Sequence, residues 1–263
     1  MIDVRHVGVS FGEKHVLDDI SFQLRESETL ILLGETGSGK SVLLKLVGGL
    51  LKPDSGEIIF QGTDIVPLKE SQLNPFRRRM GIVFQEGALF DSLSVYENVA
   101  YPLRQGGQKD EEVIEDAVRQ VLTFVEMEDA IDKMPAELSG GMRRRVSVAR
   151  AIVNQPSVML YDSPTAGLDP VTANTIDLLI AKLRDAQRVS SILVTTRIQD
   201  ALILTRSSFA RERLALTATS KDGHDAHEPV TRFMVLKDAH IYFCGTRDEL
   251  TRVHDPYLLK FIS

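Results

Sequence analysis

TLILLGETGSGKS, residues 29–41, decides the fold. Its first six residues, Thr29–Gly34, form an unbroken apolar run of strand length, the pattern of a strand covered on both faces. The remainder matches G-x-x-x-x-G-K-[ST] through Gly34, Glu35, Thr36, Gly37, Ser38, Gly39, Lys40 and Ser41. Glycines let backbone N–H groups turn inward around phosphates. The following VLLKLVGGLL (42–51) reads as a helix whose positive N-terminus faces the same anion. Strand, glycine-rich loop and helix in that order predict a phosphate-binding loop. Lys40 is expected to reach the β- and γ-phosphates, and the Ser41 hydroxyl to join the Mg²⁺ shell.

Working outward, residues 2–10 and 19–25 alternate apolar and polar like strands, with a turn near Gly12–Lys14. EIIFQG (57–62) and GIVFQ (81–85) read as further strands, and residues 66–79 as a helix ending in Arg77–Arg79. From Glu86 to Leu138 no clear strand appears. Residues 110–127 instead place Val113, Ile114, Ala117, Val118, Val121, Leu122 and Val125 at helical spacing. Strand signals return at SVMLYD (157–162) and SSILVTT (190–196), with a helical stretch at 171–187 between them. The expected fold is α/β: a phosphate-loop NTPase (RecA-like) sheet core with antiparallel β elements and an inserted α-helical subdomain. One domain spans 1–263, with a nucleotide-binding core at 1–85 and 139–263 and the helical subdomain at 86–138. Residues 205–232 read as a long hairpin insertion between RLALTA and RFMVLKD. His224 and His227, beside Asp222 and Asp225, fall in its polar loop and are read as exposed residues rather than a metal site.

Composition excludes several function classes. With 26% charged and 43% hydrophobic residues over 263, the chain is globular rather than disordered. A net charge of −6 argues against coating nucleic acid. The two RRR triplets, 77–79 and 143–145, are therefore read as solvated helix faces. Cys244 is the sole cysteine, so neither an intrachain disulfide nor a cysteine zinc site can form, and a reducing compartment fits. Leu30–Leu33 and Val42–Leu51 fall short of the about 20 apolar residues a membrane span needs. The first residues lack the apolar core of a signal peptide. A cytoplasmic location is expected.

VMLYD ends a buried strand in Asp162, where a carboxylate holds Mg²⁺ directly or through water, or else caps the strand end. LSGGM (138–142) sets two adjacent glycines at a helix start, where backbone N–H groups can approach a phosphate. With GETGSGKS, then Gln85 after a strand, then LSGGM, then YDSPTAGLDP, the chain resembles the ATP-binding subunits of ABC transporters over essentially its whole length. The resemblance implies a head-to-tail dimer with nucleotides at its interface. Ser139, Gly140 and Gly141 are then expected to contact the γ-phosphate of the nucleotide held by the other copy. Gln85 corresponds to the Q-loop residue, which reports on Mg²⁺ and the membrane partner, and Asp169 to the D-loop aspartate. Phe11 occupies the position of an aromatic that stacks on adenine, with a core role as its alternative.

QEGALFDSLSVYENVAYPLR (85–104), the LSGGM form of the signature and the ending DPYLLKFIS are similar to the ATPases of Mla and Mce lipid-transport systems. That similarity implies a phospholipid or other hydrophobic substrate and an integral membrane permease of the MlaE type. It also implies an MCE-domain substrate-binding protein as an indirect partner, and a peripheral place on the inner face of the cell membrane. Phe90–Tyr101 is expected near the permease, or else holds the helical subdomain on the core. Two positions depart from the family pattern. Ser163 stands where the family has the glutamate that acts on the attacking water, and Thr196 where it has a histidine. Both departures fall on hydrolysis and leave binding intact; Glu86 is the neighbouring carboxylate best placed to orient water instead. The alternatives are a slow-hydrolysing ATP-dependent dimer clamp and the ATPase of a small-solute importer.

Overall fold

The computed structural model describes residues 1–206 and 230–261. In chain order the strands are β1 (Ile2–Phe11), β2 (Lys14–Leu24), β3 (Thr29–Gly34), β4 (Ser55–Phe60), β5 (Thr63–Asp64), β6 (Met80–Val83), β7 (Val158–Asp162), β8 (Ser190–Val194), β9 (Thr231–Lys237) and β10 (His240–Gly245). The main helices are α1 (Lys40–Val47), α2 (Glu70–Arg77), α3 (Val95–Gln105), α4 (Glu111–Phe124), α5 (Gly140–Ile152), α6 (Pro170–Gln187) and α7 (Ile198–Arg206). Two short helices, Arg247–Arg252 and Pro256–Leu259, follow β10.

A six-stranded sheet, ordered β10-β9-β3-β8-β7-β6, forms the centre, and an antiparallel sheet, β2-β1-β4-β5, lies beside it. Strands β3, β7, β8 and β6 pair in parallel, and β9 runs parallel to β3. Every residue of β3, β7 and β8 is buried, which explains their unbroken apolar runs. Alternate residues still serve different layers. Ile31, Leu33, Tyr161, Leu193, Phe233 and Val235 pack into the core shared with α3–α6. Leu30, Leu32, Leu160, Ile192, Met234 and Leu236 pack into the core shared with α1 and the antiparallel sheet. The fold class read from the sequence is the one observed.

Between β6 and α5 the chain forms α3, α4 and two short helical turns. Ser94 opens α3 with a reciprocal cap, accepting from the Glu97 N–H at 3.2 Å while Glu97 Oε2 accepts from the Ser94 N–H at 2.8 Å. Asp110 caps α4 through the N–H groups of Glu112 and Val113. Helix α5 packs against α3, α4 and β6 alike, so it belongs to both bodies.

Two expectations need correction. The helix expected at 66–79 is shorter, because Asp64 Oδ1 accepts from the N–H groups of Val66 and Ile58 and holds that stretch in a turn beside β4. RFMVLKD, expected to be strand-like, is a strand, and the run expected to pair with it lies outside the described residues. RFMVLKD is β9, an interior strand whose Phe233–Leu236 are all buried, and it forms its hairpin forward with β10. Of the 205–232 stretch, Thr205 and Arg206 end α7 and Thr231 and Arg232 begin β9. Residues 207–229, with RLALTA, His224 and His227, lie outside the described residues. In the triplet 77–79, Arg78 and Arg79 are exposed and Arg77 is partly buried. Arg77 pairs with Glu70 and donates to the Gly49 carbonyl at 2.6 Å. Arg78 donates to the carbonyls of Gln105 and Gly106 at 3.0 and 3.1 Å, and Arg79 lies over the Phe60 ring. Guanidinium forks suit such carbonyl ends.

One close approach sets how α5 sits on the sheet. A Cβ on Gly81 would lie 2.3 Å from Met159 Sδ and 2.6 Å from the Ala151 carbonyl oxygen. Gly81→Ala is therefore expected to lower stability by about 1–3 kcal/mol through overpacking, read as a lower denaturant midpoint with an unchanged slope.

Candidate functional site

Parallel register gathers three loops at one edge of the sheet. Val194 pairs with Leu32 on one side and with Asp162 on the other. The segments after β3, β7 and β8 therefore emerge together, as is usual for ligand sites at the carboxyl ends of parallel strands.

Lys40 is buried in the first of these loops. Its Nζ donates to the carbonyls of Gly34 and Glu35 at 2.8 and 2.7 Å and to Ser38 Oγ at 3.3 Å. Burial pushes its pKa down, and Asp162 opposes that shift. Gly39 precedes α1 with φ 94°, and a Cβ there would meet Leu17 and the Val16 carbonyl within 3 Å. The Ser41 hydroxyl donates to Asp162 Oδ1 at 2.8 Å, and Asp162 is buried. A buried cation held by dipoles at a helix N-terminus suits a polyphosphate. A hydroxyl paired with a carboxylate supplies the hard oxygen donors Mg²⁺ prefers. The residues present thus fit a magnesium nucleotide. Thr36 and Gly37 are exposed, and the exposed Glu35 pairs with Lys260 at 3.2 Å. A depression of about 480 Å³ opens over this loop, lined in part by Lys14, His15, Val16 and Tyr257. Phe11 sits across the β1–β2 turn from Lys14 and is 53% exposed, so the core alternative for it fails.

The residues singled out for hydrolysis lie in the segments that follow β6, β7 and β8. Gln85 and Glu86 form an exposed turn after β6. Ser163 follows Asp162 in a left-handed conformation, φ 49°, with its N–H donating to the Val194 carbonyl at 2.9 Å. Thr196 is exposed in the loop after β8.

The signature residues lie elsewhere. Ser139 is the N-cap of α5, its Oγ accepting from the Met142 N–H at 3.2 Å. Asp169 caps α6 through the Val171 and Thr172 N–H groups, both at 3.1 Å. A Cβ on Gly141 would lie 2.4 Å from Thr172 Cγ2, so a glycine here lets α5 start against α6. Ser139 and Gly141 line a second depression, with Arg145, Val171 and Thr172, away from the phosphate loop. The structure brings together the loop 34–41, Asp162, Ser163 and Thr196. It does not bring Ser139, Gly140, Gly141 or Asp169 to them.

Some contributors escape a reading of motifs. Arg144, grouped in the sequence with a solvated triplet, is 6% exposed. Its Nε donates to the Pro164 carbonyl at 2.8 Å, and its two Nη atoms donate to the carbonyls of Phe84 and Ala166, both at 3.3 Å. Burial pushes its pKa down, and the charge of Glu86 acts the other way. Its neighbours are tied as well: Arg143 to the Leu138 carbonyl, and Arg145 to the Val125 carbonyl and Glu126. The available signal was helical spacing, since Gly141, Arg144 and Val148 fall on one buried stripe. Thr165, Thr195 and Asp200 were also missed. Both threonine hydroxyls donate to Asp200.

A parallel sheet whose strand ends carry a buried lysine at a helix N-terminus and a serine–aspartate oxygen pair defines a phosphate-loop nucleotide-binding domain. The sequence profile of the ABC transporter family matches residues 17–166, and the chain belongs to that family. It is 38% identical over 202 residues to the intermembrane phospholipid transport system ATP-binding protein MlaF of Haemophilus influenzae, covering 77% of this chain and 76% of that protein. The MlaF of Escherichia coli matches at the same identity, with 75% of that protein covered. A probable ribonucleotide transport ATP-binding protein, mkl of Mycobacterium tuberculosis, is 41% identical over 195 residues, 74% of this chain and 54% of that one. Among solved structures, a dimeric ATP-binding cassette in a post-hydrolysis state with ADP and Pi matches with a TM-score of 0.77 at 28% identity, over 94% of this chain and 98% of that one.

Arg144→Met keeps the volume but leaves three carbonyls of two site loops without their donor. We expect a loss of about 1.5–3 kcal/mol in chemical denaturation, with new proteolytic cuts at residues 84–88 and 163–167.

Proposed function

We propose that this chain is the ATP-binding and ATP-hydrolysing subunit that energises a transporter of phospholipid or another hydrophobic substrate. The observation that carries the reading is the convergence of Lys40 with the Ser41–Asp162 pair at the carboxyl edge of the parallel sheet. Lys40 binds the β- and γ-phosphates, exchanging carbonyl partners in its loop for phosphate oxygens. The N–H groups of residues 34–41 surround the same oxygens. Ser41, Asp162 and Gln85 would hold Mg²⁺, which when bound neutralises phosphate charge. Phe11 stacks on the adenine.

The distance of Ser139, Gly140, Gly141 and Asp169 from the phosphate loop supports a site completed by a second, head-to-tail copy. That arrangement also matches the dimeric state of the cassette structure. For the membrane partner, a groove of about 480 Å³ lies between core and helical subdomain, bordered by Arg77, Arg78, Phe84, Phe90, Tyr101 and Arg150. Phe90 and Tyr101 have ring centroids 4.8 Å apart and remain about 40% exposed. An exposed aromatic pair supports docking of a permease of the MlaE type more than a role holding the subdomain to the core. The name of the MlaF relatives supports phospholipid as substrate and, through the permease, an MCE-domain partner. No described helix is long and apolar enough to cross a membrane. The similarity to ATP-binding subunits of a transport system supports a peripheral place on the cytoplasmic face, beside the permease.

A second reading concerns rate. Ser163 and Thr196 supply hydroxyls where charge and basicity would orient water, and the strand-end Asp162 is engaged by Ser41. The dimer then holds ATP for long intervals, as a clamp that hydrolyses slowly, unless Glu86 supplies the missing carboxylate.

Lys40→Ala is expected to weaken ATP binding about ten- to a hundredfold, measured by calorimetry on protein whose circular dichroism is unchanged. Full affinity in a folded variant would remove the nucleotide assignment. Ser163→Glu is expected to raise steady-state turnover, by as much as about 10²–10⁴, with Thr196→His adding to it. A wild type as fast as Ser163→Glu, together with a silent Glu86→Gln, would refute the slow-clamp reading.

A further inference from the structure

Two loops that carry the departures from the family pattern are fastened to one buried carboxylate. Thr165 lies two residues after Ser163, and Thr195 immediately precedes Thr196. Thr165 Oγ1 and Thr195 Oγ1 both donate to Asp200 Oδ2, at 2.6 and 2.7 Å. Both threonines and Asp200 are at most 2% exposed. The other oxygen, Asp200 Oδ1, accepts no hydrogen bond; Arg197 Nε stands 3.4 Å away as a loose ion pair on the rim. From α6, which packs on α7, Asp177 presents a carboxyl that is also buried, with neither oxygen bonded to a donor.

Buried carboxyls side by side cannot both carry charge at low cost. Burial first, and then the charge of Asp200, push the Asp177 pKa up to about 8, with Arg197 pulling the other way. One proton on Asp177, shared with Asp200, removes the repulsion and provides the donor that the geometry otherwise lacks. The sign of the linkage follows. The folded pKa lies above the ordinary 3.8, so this contribution to stability is complete below about pH 4 and is lost as pH rises through about 8.

We propose that Asp200 is a positioning residue that clasps the loop bearing Ser163 to the loop bearing Thr196, and that a proton shared with Asp177 keeps the clasp closed. Its significance for turnover rests on reading those loops as the γ-phosphate side of an ATP site. When Asp177 ionises, a second buried negative charge faces Asp200. Asp200 and its two threonine bonds are displaced, and the loops separate. The nucleotide site thereby acquires a dependence on alkaline pH that acts through the position of its loops and is separate from the titration of Lys40.

The test measures amide hydrogen exchange at residues 164–166 and 195–197 of the nucleotide-free full chain at pH 7 and pH 9, corrected for intrinsic rates, alongside ATP affinity, kcat and KM over the same range. In the wild type, protection of both loops should fall together by about tenfold, following the protonated fraction of a group titrating near pH 8. Protection in α1 and β3 should stay constant, and kcat should fall more than KM changes. Asp177→Asn should flatten the pH dependence, and Thr165→Val combined with Thr195→Val should loosen both loops at pH 7. If Asp200→Ala does not fold, the threonine pair carries the same test. An Asp177→Asn profile identical to wild type, or loops that respond independently, would overturn the clasp. A clasp that opens on schedule in a protein that binds no ATP would keep this inference and reject the nucleotide reading.

Discussion

Val194 is bonded into the sheet between Leu32 and Asp162, and the site depends on that pairing. Parallel strands aligned at these residues deliver the phosphate loop, the strand-end aspartate and the loop after β8 to one edge. A slip of one residue in β8 would exchange Leu193 and Val194 between the two cores, turning apolar groups away from the layers that bury them. Register is therefore set by burial on both faces of the sheet, and the chemistry at its edge follows from packing far from any ligand.

Two buried cations use this edge in contrasting ways. Both Lys40 and Arg144 donate to backbone carbonyls, and burial lowers the pKa of each. Arg144 spreads a planar fork over three carbonyls from two loops, an arrangement that fixes geometry and leaves few donors over. Lys40 is a compact charge on a flexible stem, and its donors can change partners. The same desolvation that makes Arg144 a fastening makes Lys40 ready for an anionic ligand, because a phosphate would add to the partial countercharge of Asp162.

Much of this was legible in the sequence for identifiable reasons. Strands β3, β7 and β8 announce themselves because burial on both faces demands continuous apolar runs. The glycine loop is legible because its function requires a local backbone geometry. Strand β9 is legible as a strand from its apolar core, but nothing local shows that it lies parallel to β3. The burial of Arg144 is not legible because charge suggests solvent, whereas the carbonyls that receive it come from Phe84, Pro164 and Ala166, all distant in the chain. The bonds from Thr165 and Thr195 to Asp200 are invisible for the same reason: one partner is 35 residues away, and the chemistry exists only after folding. Ser163 and Thr196 were visible only as departures from a pattern.

Helix α5 begins at the signature glycines and is held along its length by β6, α3, α4 and α6. In mechanical terms it is a beam: 13 residues at 1.5 Å each give about 20 Å of stiff length. Arg144 is fastened near one end, and Ala151, near the other, rests against Gly81. A beam anchored at its far end converts a tilt of about 5° into a displacement of nearly 2 Å at its tip, by the same length. Small rotations of the helical subdomain on the core thus become movements at the signature on the scale of a hydrogen bond.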